Sequence, residues 1–290
     1  MKPDEIPPPG TRLADRYRLD AVIAHGGVGV VYRGHDLDLD RIVAIKILPL
    51  SLDQGSKRER FLREARVAAS IGHPHVVKVF DAGFFDEERP FLVMELLKGM
   101  SLHRWLHEMG PLPIEDACVL GSQMCSALDA MHRSGIVHRD LKPGNVFLLE
   151  GLGVTCKLID FGMSKSFVDE RKQITEKGRV IGTPSYMAPE QLLGAKPGPR
   201  ADVYGVGCVL YETLVGKPYV KRHKRIEKTF QEVLQRKPAP PSADRPSIPA
   251  AVDTLVLHAV AREPEERFAS CADLKRACDE ALAQLQRGIG

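Results

Sequence analysis

Val137–Phe147 reads VHRDLKPGNVF, and shortly after it Leu158–Gly162 reads LIDFG. The first stretch packs an acid (Asp140), a base (Lys142) and an amide (Asn145) into a loop between apolar segments. The second sets Asp160 at the end of an apolar strand, directly before a flexible glycine. Asp160 and Asn145 offer the hard oxygen ligands that Mg²⁺ prefers. Asp140 is then left to accept a proton from an attacking hydroxyl.

Upstream lie three further stretches with chemical content. Ile23–Tyr32, IAHGGVGVVY, is a glycine-rich turn between two strands. Such a turn lets backbone N–H groups approach phosphate oxygens with no Cβ in the way, although hairpins of this kind without any ligand are common. In Ile42–Leu48, IVAIKIL, strand alternation sends Ala44 and Lys46 to one face and Val43, Ile45 and Ile47 to the other. A small residue beside a lysine suits a flat base with an anionic tail; the plainer alternative is an edge lysine reaching for water. The helical pattern Lys57–Ile71 carries Phe61, Ala65 and Ala68 as its apolar stripe, with Glu64 on that stripe. An inward carboxylate needs a partner, and Lys46 is the natural candidate.

The same texture organises the whole chain as α+β. Residues 1–16 are proline-rich and read as an extended tail, with ordered structure beginning near Tyr17. Residues 17–94 form a small β-rich lobe with one helix, its β-like runs being Leu19–Ile23, Val28–Tyr32, Ile42–Leu48, Val76–Phe80 and Phe91–Met94. Residues 95–281 form a connector and a larger, mainly helical lobe, and 282–290 a second tail. In that lobe Ile114–His132 is amphipathic, and hairpin-like segments follow around Ile136–Leu149 and Lys157–Ile159. Asp202–Val215 is apolar nearly all round and should be a buried helix stopped by Gly216. Ser270 and Asp273 cap the last helix.

Composition narrows the alternatives. Forty-one basic against 38 acidic residues leave a net charge of +3, too balanced to point to nucleic acid or an anionic membrane as the main partner. No apolar run approaches a membrane span, and the start of the chain has no signal-peptide core, so a cytoplasmic protein is expected. Six cysteines occur without a C-x-x-C pair. Buried thiols in a reducing compartment are the expectation.

Taken in order, these motifs resemble the eukaryotic-type (Hanks-type) serine/threonine protein kinase family, in particular its bacterial members. The glycine loop precedes VAIK (Val43–Lys46), a helix glutamate, HRDLKPGN (His138–Asn145), DFG (Asp160–Gly162), GTPSYMAPE (Gly182–Glu190) and DVYGVG (Asp202–Gly207). The resemblance implies the bilobal protein-kinase fold and transfer of the γ-phosphate of Mg-ATP to serine or threonine hydroxyls of protein substrates. It makes Asp140 the group that orients and deprotonates the hydroxyl, with Lys142 beside it. Lys46 would hold the phosphates, positioned by Glu64, and Asn145 and Asp160 would hold Mg²⁺. Ile23, Ala24, His25, Gly26, Gly27, Val28, Gly29, Val30 and Val31 would cover the nucleotide. Ala44 and Val31 would roof the base and Phe147 floor it, Met94 would be the gatekeeper, and the backbones of Glu95 and Leu97 would meet adenine.

Two departures from the family pattern stand out. Ala24 occupies the place of the usual first loop glycine, and Phe147 is bulkier than the usual aliphatic floor. Weaker nucleotide handling and a tighter adenine slot are expected; neither removes a group the reaction requires. Arg139, directly before Asp140, implies regulation by phosphorylation of the activation loop. Among Ser164, Ser166 and Thr175, Thr175 is best placed for it, with a second copy of the chain as the partner for trans-autophosphorylation. By similarity Glu190 and Arg267 form a buried ion pair, and Asp202 anchors the catalytic-loop backbone.

A scaffold that keeps the fold without catalysis is disfavoured by the presence of Lys46, Asp140, Asn145 and Asp160. A small-molecule phosphotransferase is disfavoured by Lys142 and GTPSYMAPE. The basic run Lys217–Lys228, KPYVKRHKRIEK, has no family assignment. It is either a solvated loop or a docking site for an acidic partner.

Overall fold

A computed structural model describes residues 6–26, 29–49, 55–86, 88–151, 153–160 and 184–288. Among them the chain divides into two compact units, one from residues 6–72 and 77–98, the other from 73–76, 99–160 and 184–288.

The first unit is a six-stranded antiparallel sheet in the order β1-β2-β3-β4-β6-β5. Its strands are β1 (Arg12–Leu13), β2 (Tyr17–Gly26), β3 (Gly29–Asp36), β4 (Arg41–Ile47), β5 (Val79–Phe85) and β6 (Arg89–Met94). The alternation expected for the fourth strand holds: Val43, Ile45 and Ile47 join Leu13, Tyr17, Leu19, Tyr32, Phe91 and Val93 in one apolar cluster. Helix α1 (Gly55–Ser70) buries Phe61, Ala65 and Ala68, the stripe read from the sequence.

Ordered structure begins ahead of Tyr17. Leu13 is buried, β1 pairs with Tyr17 and Arg18, and the Tyr32 hydroxyl donates to the Pro7 carbonyl at 2.8 Å. Prolines carry no N–H and leave no periodic signal, so this docking does not show in the residue pattern. The fifth strand also starts later than expected. Val76 leaves the first unit altogether and bridges Leu158 in the second.

The second unit opens with a small sheet of β7 (Gly99–Ser101), β8 (Val146–Leu149) and β9 (Cys156–Leu158), in that order. Helices α2 (Leu102–Glu108), α3 (Ile114–Arg133), α4 (Pro189–Leu192), α5 (Pro199–Val215), α6 (Ile226–Gln235), α7 (Ala250–Ala259) and α8 (Cys271–Arg287) follow among the described residues, with short 3-10 turns between some of them. The short α2 was not expected; Ser101 caps it, accepting the Arg104 N–H at 3.3 Å.

Helix α5 is buried on every side from Ala201 to Leu214. Gly216 ends it in the left-handed conformation, at φ 79°, and donates to the Glu212 carbonyl. Ser270 caps α8 through the Asp273 N–H, as expected, and α8 runs on to Arg287. All six cysteines are unpaired and buried, and burial pushes the Cys118, Cys156 and Cys208 thiols up to about 12. Among the described residues no helix is long and apolar enough to cross a membrane.

Candidate active site

Several of the groups expected to act on a phosphate lie in the first unit. The β2–β3 hairpin pairs Ala24 with Val31, His25 with Val30 and Gly26 with Gly29; Gly27 and Val28 lie outside the described residues. Gly29 has φ 122°, and a Cβ there would stand 2.1 Å from the Ile47 carbonyl oxygen. Its identity is therefore required by strand packing, whatever the hairpin binds.

Lys46 is on β4, which runs between β3 and β6, and it is 5% exposed. An edge lysine reaching for water is thereby ruled out. Ala44 pairs with Arg33 and Met94, and Lys46 with Val31 and Leu92. Glu64, half-buried on α1, accepts from Arg60 Nε at 3.0 Å. The Glu95 N–H donates to the Lys78 carbonyl at 3.0 Å, and the Lys78 N–H returns a bond to Glu95 Oε1 at 2.7 Å. Leu97, two residues on, is half-buried.

The second unit holds the loop His138–Asn145 and the approach to Asp160. Asp140 Oδ2 accepts from Lys142 Nζ at 2.7 Å and from Asn145 Nδ2 at 3.2 Å, and the same Asn145 amide donates to the Asp140 carbonyl at 2.7 Å. The carboxylate is thus held from two sides while remaining 13% exposed. Ile159 N–H donates to the Asn145 carbonyl at 2.9 Å, which ties the residue before Asp160 to the loop. Arg139 and Asp160 both occupy the left-handed region, at φ 63° and 64°. Non-glycine residues held there require a surrounding structure that fixes them.

For Arg139 that structure is Asp202. Its buried carboxylate accepts the His138 N–H at 2.8 Å, the Arg139 N–H at 2.9 Å and a hydrogen bond from His132 Nε2 at 2.7 Å. The anchoring expected of Asp202 is present. So is the pair between Glu190 and Arg267, described by two bonds of 2.8 and 2.7 Å.

Other contributors were not singled out from the sequence. Gln191 accepts the Ala188 N–H at 3.0 Å and donates to the Arg139 carbonyl at 3.3 Å, linking the segment after Pro184 to the catalytic loop. His75 accepts the Leu158 N–H through its carbonyl and meets the Cys156 carbonyl through Nδ1 at 2.9 Å. Glu212, on α5, accepts from the Tyr186 hydroxyl at 2.6 Å; burial raises the pKa of both groups. A polar residue inside the otherwise apolar α5 pattern is the one signal that could have flagged Glu212.

The donor set suits a hard divalent cation. Asn145 spends its amide N–H groups on Asp140, so its side-chain oxygen is the atom it could offer a cation, and Asp160 could add a carboxylate. Among the described residues no three or more His, Cys, Asp or Glu gather into an all-protein metal site. Mg²⁺ is commonly held by one or two side chains together with substrate phosphates. Phe161 to Thr183, including Ser164, Ser166 and Thr175, lie outside the described residues.

The chain was compared with known proteins. The model of the protein kinase domain family matches residues 17–280. The serine/threonine-protein kinase PknB of Mycobacterium tuberculosis is 37% identical over 269 residues, covering 91% of this chain and 42% of the relative. A probable serine/threonine-protein kinase PknB of Corynebacterium glutamicum is 38% identical over 288 residues, covering 95% of this chain and 44% of the relative. The chain thus spans about two fifths of the length of the curated relatives it matches. Among solved structures, the PknI kinase domain of Mycobacterium tuberculosis aligns with a TM-score of 0.76 and 28% identity, covering 95% of this chain and all of that one.

Proposed function

The chain belongs to the protein kinase domain family, and on that premise we propose that it is a serine/threonine protein kinase that phosphorylates other proteins from Mg-ATP. One observation carries this reading: the Asp140 carboxylate, partly open to solvent, is gripped by Lys142 and Asn145 on a backbone pinned by Asp202. A base so held is positioned in advance of its substrate, and positioning is the larger part of what phosphoryl transfer asks of a protein.

In the proposed reaction Asp140 orients the substrate hydroxyl and takes its proton. The hydroxyl oxygen forms a bond to the γ-phosphorus as the bond to the β-phosphate oxygen breaks, leaving ADP. Lys142 offers a positive charge beside the reacting oxygens. Lys46, with Glu64 as its positioning partner, neutralises the phosphates. Mg²⁺ supplies charge neutralisation at the phosphates when bound, and Asn145 and Asp160 are the residues that would hold it. Ile23 to Val31 would cover the nucleotide, while Ala44, Met94, Phe147 and the backbones of Glu95 and Leu97 would take the base.

Activation by autophosphorylation at Thr175, through a second copy of the chain, is part of the same proposal and rests on Arg139 preceding Asp140. The six unpaired thiols favour a reducing, cytoplasmic setting for this domain.

The test is incubation of the pure protein with ATP and Mg²⁺, followed by mapping of phosphosites by mass spectrometry beside Asp140→Asn. Phosphoserine or phosphothreonine that vanishes in the variant is the expected result. An inactive wild type, or incorporation indifferent to Asp140→Asn, overturns the proposal. Thr175→Ala with full activity, insensitive to phosphatase, removes the autophosphorylation step alone.

A further inference from the structure

The run Lys217–Lys228 joins α5 to α6 and continues into the first turn of α6. It carries six Lys or Arg and a single acidic residue, Glu227, in a chain whose net charge is only +3. Lys217, Lys221, Arg222, Lys224, Arg225 and Lys228 are all exposed. Lys217 reaches Asp244 loosely, at 3.9 Å. Among the described residues no carboxylate lies at ion-pair distance from the side chains of the other five. Like charges crowded on one loop repel one another, so an isolated patch of this kind is held at some cost to the fold.

The backbone displaying these charges is nevertheless fixed. Glu232 accepts the Lys221 N–H at 3.2 Å, the His223 ring at 2.6 Å and Arg236 Nη1 at 3.0 Å. The His223 N–H donates to Thr229 Oγ1 at 3.1 Å. Arg236 in turn lies over the ring of the buried Tyr219, 4.7 Å from its centroid. A preorganised surface loses less on binding than a mobile one.

Its position gives the patch a purpose. Helix α6 packs on the turn Pro184–Tyr186. The same segment reaches the catalytic loop through Gln191, which bonds Ala188 on one side and the Arg139 carbonyl on the other. The loop that carries the cations therefore leads into the helix that packs on the stretch of chain braced against the residue before Asp140.

We infer that the exposed cations of Lys217–Lys228 are a docking surface for an acidic stretch of the protein substrate. The inference rests on the reading of the chain as a protein kinase and adds a substrate class to it. It selects serine or threonine sites in proteins that carry clustered Asp and Glu nearby.

The test uses two fluorescein-labelled peptides with the same serine-centred core, one flanked by Asp and Glu, the other by Asn and Gln. Binding to the chain is read by anisotropy, and phosphorylation is followed in parallel. An exposed charge pair contributes about a factor of two to five, so wild type should prefer the acidic peptide on the order of 10-fold, the preference fading as salt rises. The variant K221E/K224E/R225E should abolish the preference. It should raise KM for the acidic peptide by the same factor, leaving kcat and the neutral peptide's KM unchanged. K221R/K224R/R225K should behave as wild type.

Equal binding of the two peptides by wild type overturns the inference. So does a preference that survives the charge reversal, or a single-stranded oligonucleotide of equal charge binding more tightly than the peptide. Anisotropy requires no phosphoryl transfer, so selective binding without turnover would refute the kinase reading and leave the docking surface standing.

Discussion

Arg267 holds Glu190 through two parallel hydrogen bonds, with none of the arginine side chain exposed. The guanidinium has five N–H donors, and the remaining bonds go to the carbonyls of Ala261, Arg200 and Arg262. One side chain thus fastens the helix Pro189–Leu192 to the start of α5 and to the loop after α7. Removing it leaves a carboxylate and three carbonyls without their donor. Arg267→Ala should lower stability by about 3–5 kcal/mol in urea unfolding. Arg267→Lys should recover only part of it, since an ammonium cannot reproduce the planar fork.

Asp202 takes two consecutive backbone N–H groups of the catalytic loop, those of His138 and Arg139. Those bonds help to hold Arg139 in its left-handed backbone. Asp202→Ala should therefore let Asp140 move, and a displacement of about 1 Å at the reacting groups costs on the order of 100-fold in rate. Steady-state kinetics should show kcat falling by about that factor, with KM for ATP little changed. A comparable loss in KM alone would contradict this account.

Gly29 and Gly10 separate collision from backbone strain. Both have positive φ, but a Cβ at Gly10 meets nothing within 4 Å, whereas at Gly29 it would stand 2.1 Å from the Ile47 carbonyl oxygen. Gly10→Ala should cost about 1 kcal/mol from strain alone. Gly29→Ala should cost about 3 kcal/mol or more, because β3 must also separate from β4. Denaturant midpoints of the two variants test the difference.

Glu212 supplies a pH dependence. Burial raises its pKa above the ordinary carboxylate value, while the Tyr186 hydroxyl bond opposes the shift. A raised acid favours the protonated folded form, so its contribution is complete below the unfolded pKa of about 4.3 and is lost as pH rises through the folded value. Glu212→Gln keeps an acceptor for Tyr186 without the charge. Its Tm should match wild type near pH 4 and exceed it increasingly toward neutrality. A constant gap across that range would show that the Glu212 charge is not what the fold resists.

Much of the candidate site is legible in the residue order because its determinants are local. The spacing within HRDLKPGN sets Asp140, Lys142 and Asn145 on one short loop, and the structure joins these three by hydrogen bonds. Alternation in Ile42–Leu48 separates Val43, Ile45 and Ile47 from Lys46, and it places those three in the core. Where local pattern misleads, a distant partner has intervened. Val76 sits in an apolar run that reads as strand, yet it bridges Leu158, and the prolines of the first segment hide a chain that packs on β2 and β3.

The sequence by itself determined the family, the division into a β-rich and a helical part, and the residues proposed here to react, because periodicity, turn chemistry and motif spacing act over a few residues. Only the tertiary structure decided which groups brace them. Asp202 meets His138 across 64 positions, Gln191 meets Arg139 across 52, and Arg267 meets Glu190 across 77. No local energy favours those pairs. They form because burying the apolar α5 and its neighbours carries polar side chains to places where unsatisfied backbone groups or charges would otherwise be left.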